Sequence, residues 1–187
     1  MKKIALSITA LALVLGSSVS TFAQKRGFYS QPYKTRNSGS FSKSTGLLSI
    51  GIGVPDVYGN YKLGLPPLYV KYEHGVANEI GIGFLGGVGT GSYKFGGDRY
   101  GYVETTLAAM GYYHFNKLIP VSKLDVYAGV GVGVNILSDN FADATDVTPV
   151  IIGKAGARYY FNPKFAVYAE VGYDMLSPAN AGITLRF

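Results

Sequence analysis

The run Ala181-Gly182-Ile183-Thr184-Leu185-Arg186-Phe187 alternates between two kinds of side chain. Ile183, Leu185 and Phe187 fall on every second position, and the residues between them are small or polar. Because successive side chains of a strand point to opposite faces, this spacing predicts a strand with one apolar face. What that face contacts depends on the rest of the chain.

The other end of the chain has the composition of a cleavable secretory signal peptide. Lys2 and Lys3 form a basic start, residues 4–16 form an apolar run, and Thr21-Phe22-Ala23 has the small-x-small pattern of a cleavage site. The apolar run is too short to cross roughly 30 Å of hydrocarbon as a helix. We therefore predict that residues 1–23 are removed.

Residues 24–44 form a basic segment without a sustained strand or helix period. The rest of the chain, residues 45–187, holds ten Lys and Arg residues and all eleven Asp and Glu residues. Because the excess of basic residues lies outside that part, we do not expect the folded domain to bind nucleic acid. We predict a disordered periplasmic tail, either a solvated linker or a segment that docks on anionic lipid or a partner protein.

Beyond residue 44, a period of two recurs in eight segments bounded by Gly, Pro, Asn or Asp. These segments are about 45–54, 66–75, 79–90, 101–115, 123–137, 148–161, 164–173 and 180–187. Most approach or exceed the roughly 9–11 residues that a tilted strand needs to cross a bilayer. The prediction for residues 45–187 is an all-β domain, an eight-stranded antiparallel up-and-down transmembrane β-barrel.

The predicted connections alternate in length, as expected for such a barrel. Three lie on the side of the termini, at 76–78, 116–122 and 162–163. Four lie on the other side, at 55–65, 91–100, 138–147 and 174–179. Short periplasmic turns and longer external loops are the usual arrangement, and an even strand number places both termini in the periplasm.

The two faces of the predicted strands differ in composition. One register carries apolar side chains such as Ile50, Val70 and Ile82, and it has no charged residue. The opposite register holds a balanced set of charges: Lys71, Glu73, Glu79, Glu104, Lys154, Arg158, Glu170 and Arg186. A soluble barrel would carry far more charge on its outer face. We therefore predict a lipid-facing apolar surface and an interior charge network, since an unpaired buried ion costs several kcal/mol.

Glycine and tyrosine share the interior register with these charges, as at Tyr127, Gly129, Tyr160 and Tyr168. The interior of an eight-stranded barrel is just wide enough for its own side chains to fill. We therefore predict a side-chain-filled barrel that has a porin-like fold but is not a general porin.

Residues 45–187 resemble the small eight-stranded outer-membrane β-barrels, a family that includes the OmpA membrane domain, OmpX and the opacity proteins. The resemblance rests on the signal peptide, the eight strands, aromatic strand ends such as Tyr159-Tyr160-Phe161-Asn162, and Phe187. It implies a Gram-negative outer-membrane protein. The pattern of Ile183, Leu185 and Phe187 also resembles the assembly signal read by the barrel-assembly machinery, which is implied as a transient partner.

No pattern in the sequence points to catalysis, a metal or a cofactor. His74 and His114 are the two histidines, both near predicted periplasmic strand ends, and no Ser lies beside His74. The aspartates of residues 138–146 do not have the spacing of a calcium loop. The chain has no cysteine, which excludes disulfides and thiolate metal sites.

The leading hypothesis is a non-enzymatic integral outer-membrane protein with a structural or surface-contact role through its external loops. Its partners would be outer-membrane lipid and lipopolysaccharide. In the alternative, the chain is an accessory or binding subunit that engages an envelope protein through residues 24–44 or the external loops. A lipid A-modifying enzyme is the less favoured third hypothesis.

Overall fold

The computed structural model describes residues 40–54, 62–139 and 144–187. The predicted signal peptide, residues 24–39 of the predicted tail, and parts of the first and third external connections lie outside the described residues. The domain boundaries at residues 23 and 44 stay predictions.

Eight long strands make up the fold. They are β1 Gly46–Gly53, β2 Leu68–Gly75, β3 Ile80–Phe95, β4 Asp98–His114, β5 Leu124–Asp139, β6 Ala144–Asn162, β7 Phe165–Tyr173 and β8 Ala179–Arg186. A two-residue strand, Lys62–Leu63, lies opposite Ser92 and Gly91 of β3. Among the described residues, no helix is long and apolar enough to cross a membrane.

The strands form a closed ring. Each pairs antiparallel with its neighbours in sequence, and β1 also pairs with β8, so that Ile50 lies opposite both Val70 and Ile183. This closure confirms the predicted eight-stranded antiparallel up-and-down barrel. We call the end with residues 40–45 and Phe187 the lower end, and the end with Gly96-Gly97 and residues 174–178 the upper end.

The barrel wall is tall on one side and short on the other. Strands β3 to β6 have 16, 17, 16 and 19 residues. Strands β7, β8, β1 and β2 have 9, 8, 8 and 8 residues. The upper parts of β3 to β6 therefore extend past the neighbouring short strands.

Two external loops predicted from the sequence are largely strand in the structure, so those predictions are wrong. Where a loop was expected over 91–100, β3 and β4 stay paired as far as Phe95 and Asp98. Gly96 and Gly97 make the turn with φ of 61° and 97°, a conformation that glycine adopts without steric cost. Most of 138–147 is also paired, for example Ser138 with Thr145.

The outer face of the barrel is apolar and exposed. The lipid-facing register predicted from the sequence points outward on every long strand, with Val130 71% and Ile151 76% exposed. We call these outward apolar side chains the apolar belt. An exposed apolar surface of this extent indicates a membrane-spanning barrel.

The inner face is filled by aromatic, apolar and charged side chains. Tyr69, Leu85, Tyr112, Tyr127 and Ile152 belong to one buried cluster. Interior glycines leave the space that these side chains occupy, because a Cβ on Gly129 would lie 2.6 Å from the Tyr112 ring.

Candidate functional site

Four charged side chains from four strands meet inside the lower half of the barrel. Glu73, His114, Asp125 and Arg158 are each at most 2% exposed. Arg158 Nη1 lies 3.0 Å from Asp125 Oδ2, and Nη2 lies 2.8 Å from Glu73 Oε2. His114 Nε2 lies 2.6 Å from Glu73 Oε1, and Nδ1 lies 2.7 Å from Asp125 Oδ1. We call these four residues the lower cluster.

The lower cluster is balanced in charge. With Glu73 and Asp125 as carboxylates, which can only accept hydrogen bonds, both ring nitrogens of His114 donate and the ring is an imidazolium. With Arg158, the cluster then holds two positive and two negative groups. The Arg158 guanidinium also lies over the Tyr127 ring, with its carbon 3.9 Å from the ring centroid.

Strand β3 makes room for the lower cluster instead of contributing a side chain to it. Gly83 lies opposite Glu73 in the β2–β3 ladder. A Cβ on Gly81 would contact the Glu73 carboxylate. The alternation Gly81-Ile82-Gly83 thus places Ile82 in the apolar belt and leaves space inside.

A second ion pair lies deeper in the barrel. Lys71 Nζ lies 2.6 Å from Glu170 Oε1, with both side chains buried. The Tyr127 hydroxyl donates to the same carboxylate at 2.7 Å. The Lys71 ammonium also lies 3.7 Å from the centroid of the Tyr168 ring. Through Tyr127 this pair is in contact with the lower cluster.

A third ion pair holds the connection at the upper end of the barrel in place. Lys154 Nζ lies 2.7 Å from Asp174 Oδ2, and Asp174 is fully buried. Asp174 Oδ1 accepts hydrogen bonds from the backbone N–H groups of Leu176 and Ser177 at 3.0 and 2.9 Å. The Thr106 hydroxyl donates to the Asp174 carbonyl oxygen at 3.2 Å. These contacts turn the connection inward, toward the barrel interior.

Residues 174–178 therefore form a cap at the upper end, the upper cap. Leu176 is 4% exposed and packs in the same buried cluster as Tyr69. A Cβ on Gly87 would lie 2.6 Å from Leu176 Cδ1, so the glycine leaves the space into which Leu176 fits.

Residues 40–45 form a matching cap at the lower end, the lower cap. The Phe41 ring is stacked on the His114 ring, with centroids 3.5 Å apart and planes 5° apart. Asn116 Nδ2 donates to the Phe41 carbonyl oxygen at 2.9 Å. The Ser40 hydroxyl donates to the Leu124 carbonyl oxygen, and Arg186 Nη1 donates to the Ser40 carbonyl oxygen at 2.6 Å. The segment covers the lower cluster.

This arrangement holds His114 in a form unsuited to general-base chemistry. Both of its nitrogens are engaged by carboxylates, and Phe41 lies against its ring. A general base needs an accessible, unprotonated nitrogen. Among the described residues, no group of three or more His, Cys, Asp or Glu side chains is placed to hold a metal ion.

The structure distributes the predicted interior charges among several places. Lys71, Glu73, Lys154, Arg158 and Glu170 form the buried pairs described above. The remaining three, Glu79, Glu104 and Arg186, lie elsewhere on the barrel.

Glu79 lies at the lower rim, where the exposed Lys117 ammonium is 2.7 Å away. This hydrogen-bonded pairing raises the pKa of Lys117. Glu104 is half-buried on the inner face of β4, one of the four long strands. Arg186 lies over the Tyr160 ring, 4.7 Å from its centroid.

The sequence prediction missed three residues that take part in these interior contacts, namely Asp125, Asp174 and Phe41. Asp125 occupies the inward register of β5, so the same alternation that indicated Glu73 could have found it. Asp174 and Phe41 belong to segments without a strand period, which carry no signal of the direction in which they fold. The predicted assembly residues Ile183, Leu185 and Phe187 lie exposed on the apolar belt.

Comparison with solved structures finds the same fold at low sequence identity. OprG of Pseudomonas aeruginosa, an outer-membrane protein, is 10% identical with a TM-score of 0.58, covering 80% of this chain and 98% of its own. A de novo designed transmembrane β-barrel is 15% identical with a TM-score of 0.50, covering 79% and 99%. The N-terminal β-barrel domain of Pseudomonas aeruginosa OprF is 13% identical with a TM-score of 0.49, covering 78% and 99%.

No protein-family model and no curated protein matches the sequence. The similarity to OprG and the designed barrel concerns the fold alone. The chain has the fold of the small eight-stranded outer-membrane β-barrels.

Proposed function

We propose that this chain, with the fold of a small outer-membrane β-barrel, is a sealed structural barrel that presents a contact surface at its upper end. The observation that carries the proposal is the occupied interior. Ion pairs and aromatic rings fill it between Phe41 at the lower end and Leu176 at the upper end. An eight-stranded barrel with such an interior has no room for a solute channel.

The sealed interior predicts that the purified full-length protein gives no stable single-channel conductance in a planar bilayer. Folding of the same sample is checked by heat-modifiability on unboiled gels, so that an absence of conductance cannot result from an unfolded sample. A large, long-lived conductance from the folded protein would overturn the proposal.

We further propose that the barrel lies in the outer membrane with its lower end in the periplasm. The apolar belt supports the membrane location, and the tall wall supports an external upper end. Two of the lower connections, 76–79 and 163–164, are short, as periplasmic turns usually are. In this orientation, the predicted assembly signal would be read from the periplasm by the barrel-assembly machinery.

The orientation is testable because the chain has no native cysteine. We expect a membrane-impermeant maleimide to label Lys94→Cys, on the β3–β4 hairpin, in intact cells. Lys123 is exposed in the lower connection between β4 and β5. The Lys123→Cys variant should react only after the outer membrane is permeabilised. The opposite pattern would reverse the proposed orientation.

The contact surface that we propose is the tip of the β3–β4 hairpin. Lys94, Phe95 and Arg99 are exposed there, and Phe95 is 61% exposed although it is aromatic. Exposed aromatic and arginine side chains are enriched at protein interfaces.

His114 gives no support to the lipid A-modifying alternative, because both of its ring nitrogens are hydrogen-bonded to carboxylates. An accessory role through residues 24–44 stays a prediction.

A further inference from the structure

We propose that a pocket at the lower end binds the headgroup of an anionic phospholipid. The pocket has a volume of about 490 Å³ and lies between the lower cap, the connection 163–164 and the end of β8. Lys43, Lys164 and Arg186 contribute three cationic side chains, which outnumber the single terminal carboxylate of Phe187, and none of the lining side chains is acidic. Ser44 and Thr45 add hydroxyl groups to its wall.

Local hydrogen bonds position the three basic residues around the pocket. The Lys43 backbone N–H donates to Asn78 Oδ1 at 3.4 Å, and the Lys164 N–H donates to Asn162 Oδ1 at 2.9 Å. Arg186 Nε donates to the Pro163 carbonyl oxygen at 2.6 Å. The pocket is thus built from residues whose backbone or side chain is already fixed by the fold.

The two lysine ammonium groups are available to an anion. Within residues 40–54, 62–139 and 144–187, no acidic side chain forms an ion pair with Lys43 or Lys164. Lys117, an exposed lysine at the same end, is instead paired with Glu79. Lys117 therefore serves as a matched control with the same charge but without access to this pocket.

The neighbourhood of the pocket favours a lipid over a soluble anion. Phe187 lines the pocket and is 69% exposed, and its ring centroid lies 6.4 Å from that of Tyr72 in the apolar belt. The pocket thus opens where aromatic side chains meet the phosphate layer of a bilayer. Basic side chains attract anionic lipids at that depth. The inference rests on the membrane placement proposed above.

The test is native mass spectrometry of the full chain in detergent, titrated separately with phosphatidylglycerol and with zwitterionic phosphatidylethanolamine of matched acyl chains. We expect the wild type to retain phosphatidylglycerol preferentially. Lys43→Gln and Lys164→Gln should each weaken that binding by about fivefold, since each basic group near a membrane surface contributes about 1 kcal/mol. Lys117→Gln should leave it unchanged, and heat-modifiability verifies folding of every variant.

Three outcomes would overturn this site. They are equal retention of the two lipids by the wild type, an equal loss in the Lys117→Gln control, and full displacement of phosphatidylglycerol by inorganic phosphate, which would indicate a phosphate site instead. If the protein shows no conductance in planar bilayers but binds both lipids equally, the proposed function stands and only this inference fails.

Discussion

Replacing Arg158 by methionine is expected to lower the free energy of unfolding by about 3–5 kcal/mol, the usual effect of removing one partner from a buried ion pair. The change leaves two carboxylates, Glu73 and Asp125, with His114 as the single remaining cation of the lower cluster. All three are at most 2% exposed, so solvent cannot compensate the excess negative charge. Methionine keeps much of the side-chain volume and limits the contribution of lost packing.

The measurement is urea unfolding in detergent micelles, followed by loss of the heat-modifiable band. The control is Lys117→Met, which breaks the exposed pair with Glu79. Exposed pairs contribute little to stability because water screens them, so the unfolding midpoint should not move. Equal midpoints for Arg158→Met and the wild type would show that the lower cluster does not stabilise the barrel.

A double variant separates the charge imbalance from the lost contacts of Arg158. Adding Glu73→Gln to Arg158→Met leaves one cation, His114, and one anion, Asp125. We expect the double variant to be more stable than the sum of the two single changes predicts, with a coupling of about 0.5–3 kcal/mol. Strict additivity would contradict the view that charge balance holds the cluster together.

The sequence predicts the barrel and the main interior charges because a period of two is a repeated signal. Each of the eight strands carries it independently, and the inward positions of Lys71 and Arg158 follow once the apolar face is assigned to lipid. The same reasoning places Ile183 and Leu185 outside. Errors in one strand do not alter the assignment of the others.

The two caps and the long β3–β4 hairpin could not be predicted in the same way. Asp174 and Phe41 lie in aperiodic segments, whose inward folding depends on tertiary partners, namely Lys154 and His114. In the hairpin, frequent glycine weakens strand propensity locally. Pairing across the ladder overrides that weakness, as between Tyr93 and Tyr100.

The two caps also explain why the interior charges need not face water. Each cap places a side chain against a buried charge. Asp174 pairs with Lys154, and Phe41 covers the imidazolium of His114. An aromatic ring against a cation is favourable, and more so where both are desolvated. Sealing the barrel and stabilising its charges are therefore achieved by the same residues.

The Phe41→Ala variant tests whether the lower cap stabilises the buried charge of His114. We expect it to lower the free energy of unfolding by about 3 kcal/mol, the lower part of the range for a buried Phe→Ala change, because Phe41 lies at an end of the barrel. The His114 ring signals in NMR spectra should move downfield, since the parallel Phe41 ring at 3.5 Å no longer shields them. Conductance should stay absent, because the ion pairs still fill the interior.

His74 provides an internal control for this experiment, because it is the second of two histidines and lies exposed on the outer face. Its ring signals should not move in Phe41→Ala. A Phe161→Ala variant removes an aromatic ring of the lipid-facing surface, 58% exposed, and should leave the His114 signals in place. If Phe41→Ala moves neither the His114 signals nor the unfolding midpoint, the lower cap is not docked on the lower cluster.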